Sequence, residues 1–223
     1  MRTLFHYALC PFSRKVRLAL HEKKLPTHLE PEPIWKKRPE FFDLTPTGQV
    51  PVLVEDGIVI SGSQAIVEYL EDSEPSSGTS LAPNSARERA EVRRLVDLID
   101  DHFYHQVTQN IVYEKTLKRL CEGMGPDSKN LRQGMQHMGP QMEYFSWLLE
   151  KRDWLSGPSL TWADLALAGH ISCIDFLGHL PWENFPEIKQ WYMRLKSRPS
   201  FQPLLNDNIP GLTPASHYRL LDF

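Results

Sequence analysis

The residue with the clearest capacity for chemistry lies near the start of the chain. Cys10 precedes Pro11 and a segment whose apolar positions Val16, Leu18, Ala19 and Leu20 gather on one side of a helix. A thiolate at that helix N-terminus would be stabilised by the helix dipole, and Arg14 and Lys15 add positive charge nearby. This predicts a thiol of lowered pKa, suited to mixed-disulfide formation or thiol-dependent reduction. The competing reading is a small buried residue, inert as buried free cysteine often is. A second candidate is Ser63, which opens another helical stretch and is a preferred N-cap type. Asp101, His102 and His105 fall on neighbouring faces of a long helix, but no third well-placed ligand accompanies the two histidines, so a solvated face is expected and no metal site. No Walker loop, G-x-G-x-x-G or G-x-S-x-G occurs, which removes support for nucleotide binding and serine hydrolysis.

The elements that must hold these residues follow from pattern. Thr3 to Tyr7 reads as a strand, Pro11 onward as a helix, Thr27 to Glu30 as a second strand, and Pro39 to Asp43 as a short helix. Glu55-Asp56-Gly57 between two apolar triplets marks a hairpin, and Ser63 to Leu70 reads as a helix. The order βαβ then ββα makes a mixed-sheet domain over 1–73. A polar, turn-rich linker over 74–84 leads to an all-helical domain over 85–206, with one long helix from Ser85 to about Leu120 and another from Lys129 to Glu150. Thr161 and Asp164 form a capping box before a buried helix. The stretch 207–223 has two prolines and little periodicity, so it is expected to lie across the surface or stay mobile.

Bulk properties narrow the function. With 41% hydrophobic and 24% charged residues a core can form, and 25 basic against 28 acidic residues leave no footprint for nucleic acid. Three scattered cysteines fit a reducing compartment better than a disulfide framework. The opening MRTLFHYAL lacks a signal-peptide pattern and no window is apolar enough for a membrane span, so a cytoplasmic location without direct membrane insertion is expected.

Val50-Pro51 before the hairpin, Ser63-Gln64-Ala65-Ile66 after it and the Thr161–Asp164 cap resemble, in order and spacing, the glutathione transferase superfamily. That resemblance implies a thioredoxin-like N-terminal domain, a helical-bundle C-terminal domain and a homodimer. It implies that Pro51 is cis and lets Val50 pair with the peptide part of glutathione, and that Ser63 anchors the γ-glutamyl carboxylate. Cys10 then stands where cysteine-type members hold their catalytic thiol, with Tyr7 as the weaker alternative activator. Gly62 departs from the pattern, since glutathione-binding members carry Glu, Asp or Gln there. Losing one charge-assisted hydrogen bond of ~1.5–3 kcal/mol would weaken glutathione binding roughly ten- to more than a hundredfold.

Trp35, flanked by Lys36, Lys37 and Arg38 in an irregular connector, and the ending Leu220-Leu221-Asp222-Phe223 have the composition of contact surfaces. With the Cys-Pro-Phe-Ser-Arg-Lys-Val-Arg-Leu opening and the Gly62-Ser63 pair, they resemble the FzlA-type branch of the superfamily. That likeness implies an FtsZ-binding cell-division factor acting at the division site, requiring no cofactor, with Trp35, Leu221, Asp222 and Phe223 toward the partner. The alternative is a glutathione-dependent transferase or thiol reductase using Cys10.

Overall fold

The computed structural model describes residues 1–223. The N-terminal half holds four strands, β1 (Arg2–His6), β2 (His28–Pro31), β3 (Val52–Glu55) and β4 (Ile58–Ser61), in the order β2-β1-β3-β4. β1 pairs in parallel with β2, while β3 runs antiparallel to both β1 and β4. The parallel step requires a crossover, supplied by α1 (Pro11–Glu22). The β3–β4 hairpin closes through Asp56 and Gly57, both at positive φ as an Asp-Gly turn demands. A short α2 (Pro39–Phe42) and α3 (Ser63–Ser73) complete this half, and a turn of 3-10 helix, Ile34–Lys36, carries Trp35.

The rest is helical: α4 (Ala86–Asp97), α5 (Leu117–Glu122), α6 (Ser128–Leu149), α7 (Trp162–Phe176), α8 (Pro186–Lys196) and α9 (Gln202–Leu205). The expected single helix from Ser85 to Leu120 is not one uniform helix. Beyond α4 it continues with wider π-type turns over Leu98–Tyr113, and it breaks at Thr116, whose hydroxyl bonds back to the Val112 carbonyl at 2.7 Å. Apolar side chains still recur every four residues at Ile99, Phe103, Val107 and Ile111, all fully buried.

α7 is the central post, buried along its whole length. Its capping box forms as the sequence predicts. The Thr161 N–H donates to Asp164 Oδ2 at 2.9 Å, and the same carboxylate takes N–H groups from Leu155 and Trp191. α1 lies directly against α7, and Gly169 makes that approach possible, since a Cβ there would sit 2.5 Å from the Pro11 carbonyl. One continuous apolar core therefore runs through both halves. A smaller cluster of Phe41, Val50 and Val52 covers the other side of the sheet, with Cys10 and Tyr7 at its margin.

The stretch 207–223 lies across the surface as an irregular segment, but anchored more firmly than composition suggests. It has no helix or strand, yet Ile209 and Tyr218 are buried, and Phe223 packs edge-on against Trp182 and Tyr192. Turn hydrogen bonds shape it, and the Ala215 N–H ties it to the Phe176 carbonyl. Irregular spacing of the apolar residues hides this packing from any periodicity argument, because a segment held by turns needs no period.

Candidate functional site

Residues at the N-termini of α1 and α3, Phe12 and Ser63 among them, border a cavity of about 410 Å³. Val50, Pro51, Gly62, Ser63, Gln64 and Asp100 line it. The Val50–Pro51 peptide is cis. Gly62 stands at the N-cap of α3 with φ +92°, a backbone conformation that favours glycine even though a Cβ there would meet no neighbour. Ser63 is therefore the first helical residue and not the cap, and its hydroxyl lies 3.5 Å from Asp100 Oδ2.

Asp100, which sequence reasoning missed, organises this wall. Burial pushes its carboxyl pKa up, but the Lys15 ammonium and His170 outweigh that and hold it at about 2. Lys15 Nζ, fully buried, donates to Asp100 Oδ2 and to Gln64 Oε1, both at 2.7 Å. His170 Nε2 lies 3.4 Å from Asp100 Oδ1, and its Nδ1 is 2.8 Å from the Thr108 hydroxyl. The cluster joins α1, α3, the π-helical stretch and α7, so it braces the two halves at the cavity. No signal in the sequence distinguished it, because Asp100 stands between Asp97 and Asp101 and periodicity does not separate it from these more solvated acids.

Cys10 does not behave as its helix position alone suggests. It is the N-cap of α1, its sulfur accepting the Ser13 N–H at 3.5 Å while its thiol faces the Val50 carbonyl at 3.8 Å. Burial pushes the thiol pKa up; the N–H groups of Ser13 and Phe12 and the charge of Arg14 oppose it without reversing it. The expected lowering is corrected: desolvation outweighs the dipole, and Arg14 and Lys15 direct their charge into ion pairs with Asp207 and Asp100. Tyr7, raised to about 12 chiefly by burial, packs edge-on against Trp35 with ring centroids 5.9 Å apart.

Glutathione, which the fold implies, can be tested against these residues. The helix N-terminus and the Ser63 hydroxyl offer donors to a carboxylate. However, the cavity's one charged lining residue is the ionised Asp100, no Lys or Arg lines it, and Gly62 brings no side chain. Of the tripeptide's charges, the ammonium has a carboxylate partner in Asp100, already paired with Lys15, whereas the two carboxylates meet no cation in the lining, so the match is incomplete and the wall supports no chemical step through glutathione.

Family models for the glutathione S-transferase N-terminal and C-terminal domains match residues 9–73 and 115–199. The chain belongs to the glutathione S-transferase family. Within that family it is 45% identical over its full length to FtsZ-localized protein A of Caulobacter vibrioides, covering 98% of that protein. A glutathione S-transferase from Rhodospirillum rubrum F11 superposes with a TM-score of 0.96 at 46% identity, each chain covered completely. FzlA from C. crescentus superposes at 0.94 with 44% identity, over 100% of this chain and 99% of that one. Likeness to the yeast enzyme glutathione S-transferase 2 is lower, at 30% identity over 87% of this chain and 85% of that one.

The expected partner-facing residues of this transferase-fold chain lie apart from the cavity lining. Trp35 is half-buried on Tyr7, and its turn rests on α5, which exposes Leu120 and, just beyond it, Met124 at about half their surface. Those two apolar residues were not singled out from the sequence. At the tail, Leu220, Leu221 and Asp222 are exposed, whereas Phe223 points inward as an anchor. No helix is long and apolar enough to cross a membrane, and no group of three His, Cys, Asp or Glu side chains could hold a metal.

Proposed function

We propose that this chain is a non-catalytic cell-division protein that binds FtsZ filaments, acting as a cytoplasmic homodimer at the division site and requiring no cofactor. The observation that carries the reading is the end-to-end likeness to FtsZ-localized protein A. The lack of any Lys or Arg lining the cavity agrees with it, and so do the exposed apolar residues beside basic ones around Trp35, Lys36 and Lys37. On this reading the N-terminal domain ends at 73 and the helical one begins at 85. Trp35 and its α5 neighbours meet the filament through one surface, and Leu221 and Asp222 through another, while Phe223 holds the tail in place. The test is co-sedimentation of the purified chain with assembled FtsZ filaments. Wild type is expected in the pellet, and Trp35→Ala and Leu221→Asp are expected to leave it while staying folded. A wild-type chain that remains in the supernatant overturns the reading.

The cavity beside Val50, Pro51 and Ser63 supports one alternative, a glutathione-dependent transferase or thiol reductase using Cys10. Calorimetric titration with reduced glutathione to millimolar concentration distinguishes the two. Saturable heat, together with an activity abolished by Cys10→Ser, favours the enzyme; no heat from the folded protein removes it.

A further inference from the structure

β2 is an edge strand whose single partner is β1, so its outer edge is open. Beneath that edge, the last turn of α1 and the segment entering β2 enclose a groove of about 490 Å³. Its floor is Leu20, Leu25 and Leu29, and its wall carries Arg17, His21 and Lys24. No acidic residue lines it. Side chains alternate along a strand, which puts Leu29 toward the groove and sends His28 and Glu30 to the other face, where they pair with each other at 3.2 Å.

The reachable positive charge of this wall is Lys24, since Arg17 is only 3% exposed and paired with Asp207. Arg17 gives its terminal nitrogens to Asp207, but its Nε–H is buried with no acceptor. Its field reaches both neighbouring histidines. After burial, which acts first, Arg17 pushes the His21 pKa down, and it adds to the lowering of His6 to about 4. Lys24, at φ +55°, is exposed, whereas its neighbour Lys23 is buried and paired with Glu71. Pro26 and Pro31 bracket the strand, which limits edge pairing to a slot a few residues long.

An open backbone edge, an apolar floor and a cationic wall together select one kind of occupant. A small anion would use only the wall, and an apolar ligand only the floor. We propose that this edge and groove form a docking site for an extended acidic peptide segment of a partner protein. The segment pairs its backbone with β2, inserts one apolar side chain over Leu20, Leu25 and Leu29, and sets an acidic side chain two positions along against Lys24. This contact is separate from the Trp35 and tail surfaces.

The test uses the full-length, isotope-labelled chain and NMR titration with the probe acetyl-Thr-Leu-Thr-Asp-Thr-Asp-Thr-amide. The expected result is saturable shifts confined to amides of 20–31. Lys24→Asn, which retains a residue tolerant of positive φ, is expected to weaken binding about fivefold. A probe with both aspartates replaced by lysine, and one with proline in place of the threonines, are each expected to lose at least tenfold. Shifts absent at millimolar probe, or equal for the lysine or proline probes, overturn the proposal. Because the readout is the groove's own amides, either outcome leaves filament co-sedimentation through Trp35 free to succeed or fail independently.

Discussion

Lys15 and Lys196 are both wholly buried, and their environments differ. Lys15, at the junction of the two halves, donates to Gln64 and Asp100 at hydrogen-bonding distance. Lys196, under the tail, has no hydrogen bond. Its nearest carboxylate oxygen, Asp175 Oδ2, is 4.0 Å away, and its ammonium sits 4.2 Å from the centroid of the Phe223 ring with Tyr192 and Tyr218 farther off. Asp175 instead bonds His217 and Trp182 through its other oxygen. Lys15 is thus a charged strut that braces the cavity wall, whereas Lys196 is a cation held mainly by aromatic faces that the tail supplies. The difference teaches that, across the shared apolar core, the buried charge at the junction of the halves is held by ionic geometry, while the one under the tail is held by aromatic packing.

Removing residues 209–223 should have the largest effect. It strips Tyr218 from Arg14, His217 from Asp175 and Phe223 from Lys196, leaving buried charges with fewer partners. A loss of about 5 kcal/mol or more is expected, seen as a fall of roughly 10–20 °C in the thermal transition by circular dichroism. A truncated chain with an unchanged transition would mean that the tail is only draped over the surface. For the same reason, point changes are cleaner probes of partner binding than truncation.

Next is the direct contrast between the lysines. Lys15→Met orphans Asp100 and should cost about 3–5 kcal/mol in urea unfolding, while Lys196→Met, which breaks no hydrogen bond, should stay within about 1 kcal/mol of wild type. Equal costs would dissolve the distinction.

Alkaline pH sharpens it further. Burial lowers the Lys196 pKa to about 8 in the folded chain, against an ordinary 10.5, with Asp175 opposing the shift. Between those values the unfolded chain holds a proton that the folded chain has released, so this group's contribution to stability rises with pH across the window. The stability of wild type relative to Lys196→Met should climb with pH across that window. A flat difference would show that water reaches the ammonium past Phe223.

The smallest effect is expected at Cys10→Ser. Serine keeps the cap on α1, so stability should change by less than about 1 kcal/mol, and wild-type Cys10 should alkylate more slowly than exposed Cys121 when modification is mapped by mass spectrometry. Faster modification at Cys10 would restore the activated thiol.

Much of this architecture is readable from local signals. The Asp56-Gly57 turn, the Thr161–Asp164 cap and the apolar spacing of α1 each concern neighbours a few residues apart, and each appears where the pattern puts it. The pairing of Val50-Pro51 with Ser63 around one cavity was legible through family resemblance. Asp100 was not, because its partners Lys15 and His170 are far away along the chain and no local rule links them. Thr116 likewise gave no clear warning of the helix break.

By itself the sequence determined the order of strands and helices, the mixed sheet and the buried α7, because turns, caps and periodicity are short-range properties, and its motifs resembled the family to which the chain belongs. Only the tertiary structure decided what became of the charges and the tail. Burial raised the Cys10 thiol against its helix dipole, ion pairs took up Arg14 and Lys15, and irregularly spaced aromatic residues closed over Lys196. Those outcomes depend on desolvation and on contacts between distant segments, both of which are set by the three-dimensional packing of the whole chain.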